Sequence, residues 1–178
     1  MQFLDQNILI FFINQRIEWL TFIMLVITYA GSYIIITGVT LLSTISFYIH
    51  KHTNLIWPFL ITVGGSALTT FFLKHIFSRA RPLGAFYLES SFSFPSGHAT
   101  SAVALYGFLF YFIWSHDKHH LKNPFLMFLA SLIILIGFSR LYLGVHYFSD
   151  VLAGYFVGLI WLFISVYFSN HFSKSKNF

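Results

Sequence analysis

The chain has 178 residues, of which 57% are hydrophobic and only 8% are charged. Soluble globular domains carry about 25% charged residues, so this composition excludes a water-soluble domain and is typical of a protein embedded in a lipid bilayer. The sequence contains no cysteine, which excludes a disulfide framework and a thiolate metal site. The net charge of +5 comes from basic residues scattered between apolar runs, a spacing that argues against a nucleic-acid-binding surface.

The N-terminal segment, residues 1–30, is apolar but is interrupted by several polar side chains. Asn7, Asn14 and Glu18 share one helical face, which predicts an amphipathic helix lying in the headgroup region of a membrane. A sixth, tilted transmembrane span is the alternative that this pattern leaves open.

Five longer apolar stretches follow between residues 31 and 169, and each approaches the roughly 20 residues that a helix needs to cross a bilayer. They are Ser32–Ile49, Leu55–Phe77, Gly97–Ser115, Pro124–Leu141 and Tyr147–Ser169. We therefore expect an all-α, polytopic transmembrane bundle that forms one domain over residues 1–178. Residues 31–169 are its transmembrane core, and residues 170–178 are a cytoplasmic tail.

The charges of the connecting loops predict the orientation of this bundle. With five spans, the basic segments 50–52 and 116–122 and the basic tail fall on one side of the membrane, which the positive-inside rule makes cytoplasmic. Segments 78–96 and 140–147 then face the extracytoplasmic side of the plasma (inner) membrane. Four basic residues depart from the rule because they lie near that outer side: Lys74, Arg79, Arg81 and Arg140.

Three short motifs concentrate the polar residues that loop solvation does not explain. They are K-x6-R-P over residues 74–82, P-S-G-H over residues 95–98, and S-R-x5-H-x3-D over residues 139–150. The topology brings all three to the outer end of the bundle. Lys74, Arg81 and Arg140 are suited to surround a dianionic phosphate, since guanidinium groups match its oxygens and phosphoryl transfer depends on neutralising its charge.

The remaining motif residues suit the chemistry of phosphoryl transfer. Ser96 and Gly97 open a helix whose first N–H groups can bind an anion. His146 and Asp150 are four residues apart, so an aspartate can fix the imidazole tautomer and leave the other ring nitrogen as a nucleophile. His98, from a different helix, is a candidate to protonate the leaving oxygen and then to activate water.

Taken together, the three motifs resemble the signature of the type 2 phosphatidic acid phosphatase family, which also includes soluble vanadium haloperoxidases. The resemblance implies a metal-independent membrane phosphatase that acts on a lipid phosphate through a phosphohistidine, without a cofactor. By position, His146 resembles the nucleophile, Asp150 its orienting partner and His98 the general acid. The positions that resemble the phosphate-binding set are Lys74, Arg81, Ser96, Gly97 and Arg140.

The sequence does not identify the lipid that carries the phosphate. Phosphatidylglycerophosphate, a polyprenyl pyrophosphate, phosphatidic acid and the phosphates of lipid A all fit the predicted site. A phosphoryl or headgroup transferase shares the same first step, and a transporter of phosphorylated anions is a further alternative. The cluster His116, His119 and His120 has the composition of a metal site but falls in a lysine-containing loop on the opposite side, so we expect no metal there.

Overall fold

The computed structural model describes residues 1–116 and 122–174, and this part of the chain is an all-helical bundle without strands. The predicted all-α class is therefore confirmed. The helices are α1 Gln2–Asn14, α2 Glu18–Tyr29, α3 Tyr33–Ile49, α4 Ile56–Phe77, α5 Gly97–His116, α6 Lys122–Tyr142 and α7 Phe148–Lys174. A short 3-10 helix, Thr53–Leu55, leads directly into α4.

The length and hydropathy of the helices agree with a membrane location. In the described residues, Thr53–Phe77, Lys122–Tyr142 and Phe148–Ser169 are long and apolar enough to cross a bilayer. Helices α2 and α3 supply a fourth candidate if the pair, bent by 43°, is one span. The predicted span in α5 is not among these candidates. Helix α5 begins with polar residues, among them His98, Thr100 and Ser101, which lower its mean hydropathy.

Helix α5 lies at the centre of the bundle and packs against α4, α6 and α7. Its contact with α7 is close because two glycines of α7 face the backbone of α5. A Cβ atom at Gly154 would lie 2.6 Å from the carbonyl oxygen of Ser96, and one at Gly158 would lie 2.8 Å from that of Thr100. Small residues at such a crossing let two membrane helices approach closely. The close packing fixes the first turn of α5 against the first turns of α7.

Contacts between helices show the direction of each one. Helices α5 and α7 run parallel, since Ser96 lies beside Gly154 and Gly107 lies beside Leu162. Helix α6 runs opposite to them, because Val151 lies beside Gly137 while the Tyr155 hydroxyl donates to the carbonyl of the earlier residue Ile133 at 2.9 Å. The ends of α4 and α6 and the starts of α5 and α7 therefore meet at one end of the bundle. The sequence analysis predicts this arrangement, in which the three motifs meet at one end of the bundle. We call this end, where the candidate active site lies, the catalytic end.

The N-terminal segment differs from the single amphipathic helix expected over residues 1–30, because it forms two helices, α1 and α2. Arg16, in the break between them, donates to the carbonyl oxygens of Tyr142 at 3.2 Å, Leu143 at 3.0 Å and Gly84 at 2.9 Å. These carbonyls lie at the end of α6 and in the loop after α4, so a tertiary contact sets the break. The polar residues expected on one helical face, Asn7, Asn14 and Glu18, are all exposed, but the break separates Glu18 from the other two.

Candidate active site

A cavity of about 450 Å³ opens at the catalytic end. Five of the eight predicted site residues line it, namely Lys74, Arg81, Gly97, His98 and His146. The other three, Ser96, Arg140 and Asp150, are fully buried behind its wall. All eight predicted residues therefore belong to one region, although they come from four helices and two loops.

The imidazole of His146 is almost completely buried and is held from both sides. Its Nδ1 atom lies 3.4 Å from Oδ2 of Asp150, and Arg81 Nη1 lies 3.3 Å from its Nε2 atom. Because a guanidinium group can only donate, Nε2 carries a lone pair and Nδ1 carries the proton. Burial, together with the positive charges of Arg140 and Arg81, lowers the pKa of His146 well below its ordinary value. The ring is therefore neutral near pH 7 and directs a lone pair at the cations.

The carboxylate of Asp150 is completely buried and has a partner for each oxygen. Its Oδ1 atom accepts a hydrogen bond from Arg79 Nη1 at 2.6 Å. Its Oδ2 atom accepts one from the backbone N–H of Tyr147 at 2.9 Å and faces His146. A carboxylate fixed in this way orients the imidazole and stabilises positive charge that develops on it.

Two of the predicted phosphate-binding cations share a carboxylate that sequence reasoning left without a role. Glu89, in the loop between α4 and α5, accepts from Arg81 Nη2 at 2.5 Å and also from Arg140. Burial alone would raise the pKa of Glu89, but the charges of Arg140 and Arg81 outweigh it and lower the pKa to about 2. An ionised carboxylate therefore lies between the two arginines, where the sequence analysis expects phosphate oxygens.

The same loop also holds the cations through its backbone. Arg81 donates to the carbonyl oxygen of Ser91 at 2.7 Å, and Lys74 donates to the carbonyl of Phe92. Arg140 donates to the Thr28 hydroxyl at 2.7 Å, which ties the end of α6 to α2. These bonds position three cationic side chains before any ligand is present.

Several polar atoms near the cavity have no partner. Nε of Arg140 and Oγ of Ser96 are buried without a hydrogen bond in the described structure. Neither ring nitrogen of His98 bonds to a described residue, although this ring lines the cavity. Buried polar groups are normally satisfied, so unpaired donors of this kind are a feature of sites that await a ligand.

Comparisons with known proteins agree with this geometry. The family model described as the PAP2 superfamily matches residues 55–174. The chain is 32% identical over 155 residues to phosphatidylglycerophosphatase B of Bacillus subtilis, a match that covers 84% of this chain and 75% of that protein. The chain belongs to the PAP2 superfamily.

Other PAP2 relatives extend the comparison. An undecaprenyl-diphosphatase of Sulfolobus acidocaldarius is 32% identical over 106 residues, covering 52% of this chain and 45% of that protein. The crystal structure of a transmembrane PAP2-type phosphatidylglycerolphosphate phosphatase from Bacillus subtilis superimposes with a TM-score of 0.88 at 31% identity, covering 96% of this chain and 86% of that one. The Aquifex aeolicus LpxE structure gives a TM-score of 0.69 at 26% identity, covering 92% and 94%. The expected membrane-embedded lipid phosphate phosphatase is therefore confirmed.

Sequence reasoning missed a second set of residues beside the PAP2 motifs. Arg79 occupies a variable position of the first motif and is not among the predicted phosphate-binding residues. Instead its guanidinium group binds Asp150, Ser149 and the buried Asp5 of α1. Asp5 and Arg79 are 74 residues apart, so no local pattern in the sequence could have predicted their contact.

No group of three or more histidine, cysteine, aspartate or glutamate residues within the described ranges could hold a metal ion. Of the histidine cluster considered above, His119 and His120 lie outside the described residues. His116 is described, and its ring stacks on that of Phe112, with the two centroids 5.1 Å apart.

Proposed function

We propose that this PAP2 enzyme hydrolyses the terminal phosphomonoester of a glycerophospholipid of the phosphatidylglycerophosphate type, with His146 as nucleophile. The observation that carries the proposal is the neutral imidazole of His146. Its Nε2 atom, which bears the lone pair, lies 3.3 Å from Nη1 of Arg81, and its Nδ1 atom faces the carboxylate of Asp150. This arrangement supplies a nucleophile, a charge-stabilising partner and an anion site within one cavity. The substrate class follows the relative that matches over most of both chains.

Substrate binding begins when the phosphate replaces the carboxylate of Glu89 between Arg81 and Arg140. A phosphate dianion has more charge and more acceptor oxygens than a carboxylate, so it forms stronger charge-assisted hydrogen bonds with the same two guanidinium groups. The phosphate also binds to Lys74 and to the N-terminal turn of α5, which includes Ser96 and Gly97. The displaced Glu89 lies in a connecting loop, which can move without disturbing the packed helices.

The first chemical step transfers the phosphoryl group to the enzyme. The Nε2 lone pair of His146 attacks phosphorus, and the bond from phosphorus to the lipid oxygen breaks. His98, which is protonated once the phosphate dianion is bound beside it, donates its proton to that oxygen, so the lipid leaves as an alcohol and His98 becomes neutral. Asp150 stabilises the positive charge on the phosphorylated imidazole.

The second step hydrolyses the phosphohistidine. His98, now deprotonated, removes a proton from a water molecule whose oxygen attacks phosphorus. The bond from phosphorus to Nε2 breaks, inorganic phosphate forms, and His146 regains its lone pair. Cations that neutralise the equatorial oxygens in both steps supply the electrostatic stabilisation that phosphoryl transfer requires.

The walls of the cavity suit a substrate that stays in the bilayer. Away from the cations, Ile36 of α3 and Val63, Ala67 and Phe71 of α4 line it. We propose that a lipid reaches the site sideways between α3 and α4, with its acyl chains remaining in hydrocarbon. The loop charges described above support an extracytoplasmic location for this end of the bundle.

The experiment is a panel of lipid phosphates incubated with the purified protein in detergent, with inorganic phosphate as the readout. The panel contains phosphatidylglycerophosphate, phosphatidic acid, undecaprenyl diphosphate and lipid A. Phosphatidylglycerophosphate should give the highest kcat/KM, and the His146→Ala variant should release no phosphate above background. Adding an acceptor alcohol distinguishes a transferase, which would form a new phosphoester with an equal deficit of free phosphate. Normal turnover by the His146→Ala variant would contradict the proposed nucleophile.

A further inference from the structure

The N-terminal helix α1 brings a buried carboxylate to the catalytic end of the bundle. Asp5, in the first turn of α1, is 2% exposed. Its Oδ1 atom accepts from the backbone N–H of Ser149 at 2.9 Å, and its Oδ2 atom accepts from the Ser149 hydroxyl at 2.6 Å. Ser149 lies in the first turn of α7, directly before Asp150. Asp5 therefore binds the helix start from which the catalytic carboxylate projects.

A single guanidinium group joins Asp5 to Asp150. Arg79 Nη2 donates to Oδ2 of Asp5 at 2.8 Å, while Nη1 donates to Oδ1 of Asp150 at 2.6 Å and to the Ser149 hydroxyl at 2.7 Å. The guanidinium carbon also lies 4.1 Å from the centre of the Tyr147 ring. Both terminal nitrogens of Arg79 are therefore bonded to carboxylates, and the Tyr147 ring covers one face of the guanidinium group. Arg79 is not among the residues that line the cavity.

The geometry at Asp150 shows why this arrangement matters for His146. Oδ1 of Asp150 is engaged by Arg79, so only Oδ2 faces the imidazole, at 3.4 Å. Which oxygen faces His146, and how far away it lies, depends on the direction from which Arg79 binds. That direction is fixed by Asp5 at the opposite end of the guanidinium plane, since a planar fork binds two carboxylates in one defined orientation.

We propose that Asp5 and Arg79 are positioning residues for catalysis, forming a chain Asp5–Arg79–Asp150–His146 through which α1 sets the orientation of the nucleophile. The proposal rests on the role of His146 given above. Neither residue contacts the substrate, and both act through Asp150. Outer partners of metal ligands influence activity about 10- to 100-fold, and we expect partners that orient a nucleophile to act at the lower end of that range.

The first test is Asp5→Asn, which keeps the shape of the side chain but weakens its bonds to Arg79 and Ser149. We expect kcat to fall about tenfold, while KM changes less than about twofold, because the phosphate-binding cations are untouched. Gln6→Ala is the matched control, since Gln6 is the next residue on the same helix and is exposed. A kcat for Asp5→Asn equal to that of the control would overturn the proposal.

A double-mutant cycle separates positioning from a general loss of folded protein. In an Asp150→Asn background, Asp5→Asn should cause no further loss of kcat, because Asp5 acts only through Asp150. If the two losses multiply, Asp5 acts independently of Asp150 and the proposal fails. Should Asp5→Asn not be recovered as a folded protein, Arg79→Lys replaces it in the same cycle, since a lysine cannot bridge both carboxylates. Failure of the proposed function is distinguishable, because the wild type would then lack His146-dependent phosphate release altogether.

Discussion

Replacing Glu89 by glutamine should make the enzyme bind inorganic phosphate more tightly. The carboxylate of Glu89 occupies the space between Arg81 and Arg140 that the substrate phosphate needs. Its pKa falls from 4.5 to about 2, and at about 1.36 kcal/mol per pKa unit this corresponds to roughly 3 kcal/mol of attraction for the charged form. Incoming phosphate must overcome this attraction.

A glutamine at this position keeps a neutral hydrogen bond to the arginines, so only part of that free energy becomes available to phosphate. We expect the inhibition constant of inorganic phosphate to fall at least about tenfold, equivalent to about 1.4 kcal/mol. The assay is competitive inhibition of lipid phosphate hydrolysis, with vanadate as a second inhibitor. Tighter product binding should also lower kcat if phosphate release limits turnover.

The chain contains a matched control for this substitution. Glu18 is exposed at the start of α2, so Glu18→Gln removes the same charge without touching the cavity. Because the pKa of Glu89 is about 2, the competing carboxylate is ionised at pH 6 and at pH 8, and the gain in affinity should be equal at both. Weaker phosphate binding in Glu89→Gln than in Glu18→Gln would refute the reasoning, because it would mean that Glu89 orients the arginines for phosphate.

Three further outcomes follow from the structure. His146→Gln should abolish phosphate release while leaving the affinity for inorganic phosphate, measured by direct binding, within about threefold, since the cations remain; equal loss of both would contradict a purely chemical role. The same variant tests pH dependence. The folded pKa of His146 is lowered, so the unfolded chain binds more protons below pH 6.5 and stability falls as pH decreases; the wild-type Tm should therefore drop more between pH 7.5 and 5 than that of His146→Gln. Gly154→Ala places a methyl group 2.6 Å from the Ser96 carbonyl, which should cost about 1–3 kcal/mol and reduce kcat, whereas Gly38→Ala meets no atom within 4 Å, lies outside the cavity lining and should retain both Tm and kcat.

The proximity of the motif residues could be predicted because their geometry is local or follows from the direction of each span. His146 and Asp150 lie four residues apart near a helix start, so their proximity needs no knowledge of the rest of the fold. Alternation of span direction then brings Lys74, His98 and Arg140 to the same end. These inferences depend only on helix geometry and on the direction in which each helix crosses the membrane.

The other residues around the site are held by long-range tertiary contacts, which the periodic pattern of apolar and polar residues in the sequence does not reveal. Asp5 looks like one polar residue at the start of an apolar segment, yet it binds Arg79, which lies 74 residues further along the chain. Glu89 is the single acid of its loop, and the sequence does not show that its side chain turns inward to two arginines. Arg16 has the appearance of a headgroup contact, but its guanidinium binds three backbone carbonyls and separates α1 from α2.

The bend between α2 and α3 separates a helix that packs on α6 from a helix that lines the cavity. At the bend, Tyr106 and Ser101 of α5 donate to the carbonyls of Ala30 and Gly31, so this point is anchored beside His98. Beyond it, α3 forms one wall of the cavity and carries no catalytic side chain. Helix α3 thus shapes the apolar part of the cavity without carrying any of the motif residues. We expect substitutions in α3 to alter the choice of lipid while the arrangement of the histidines and cations stays unchanged.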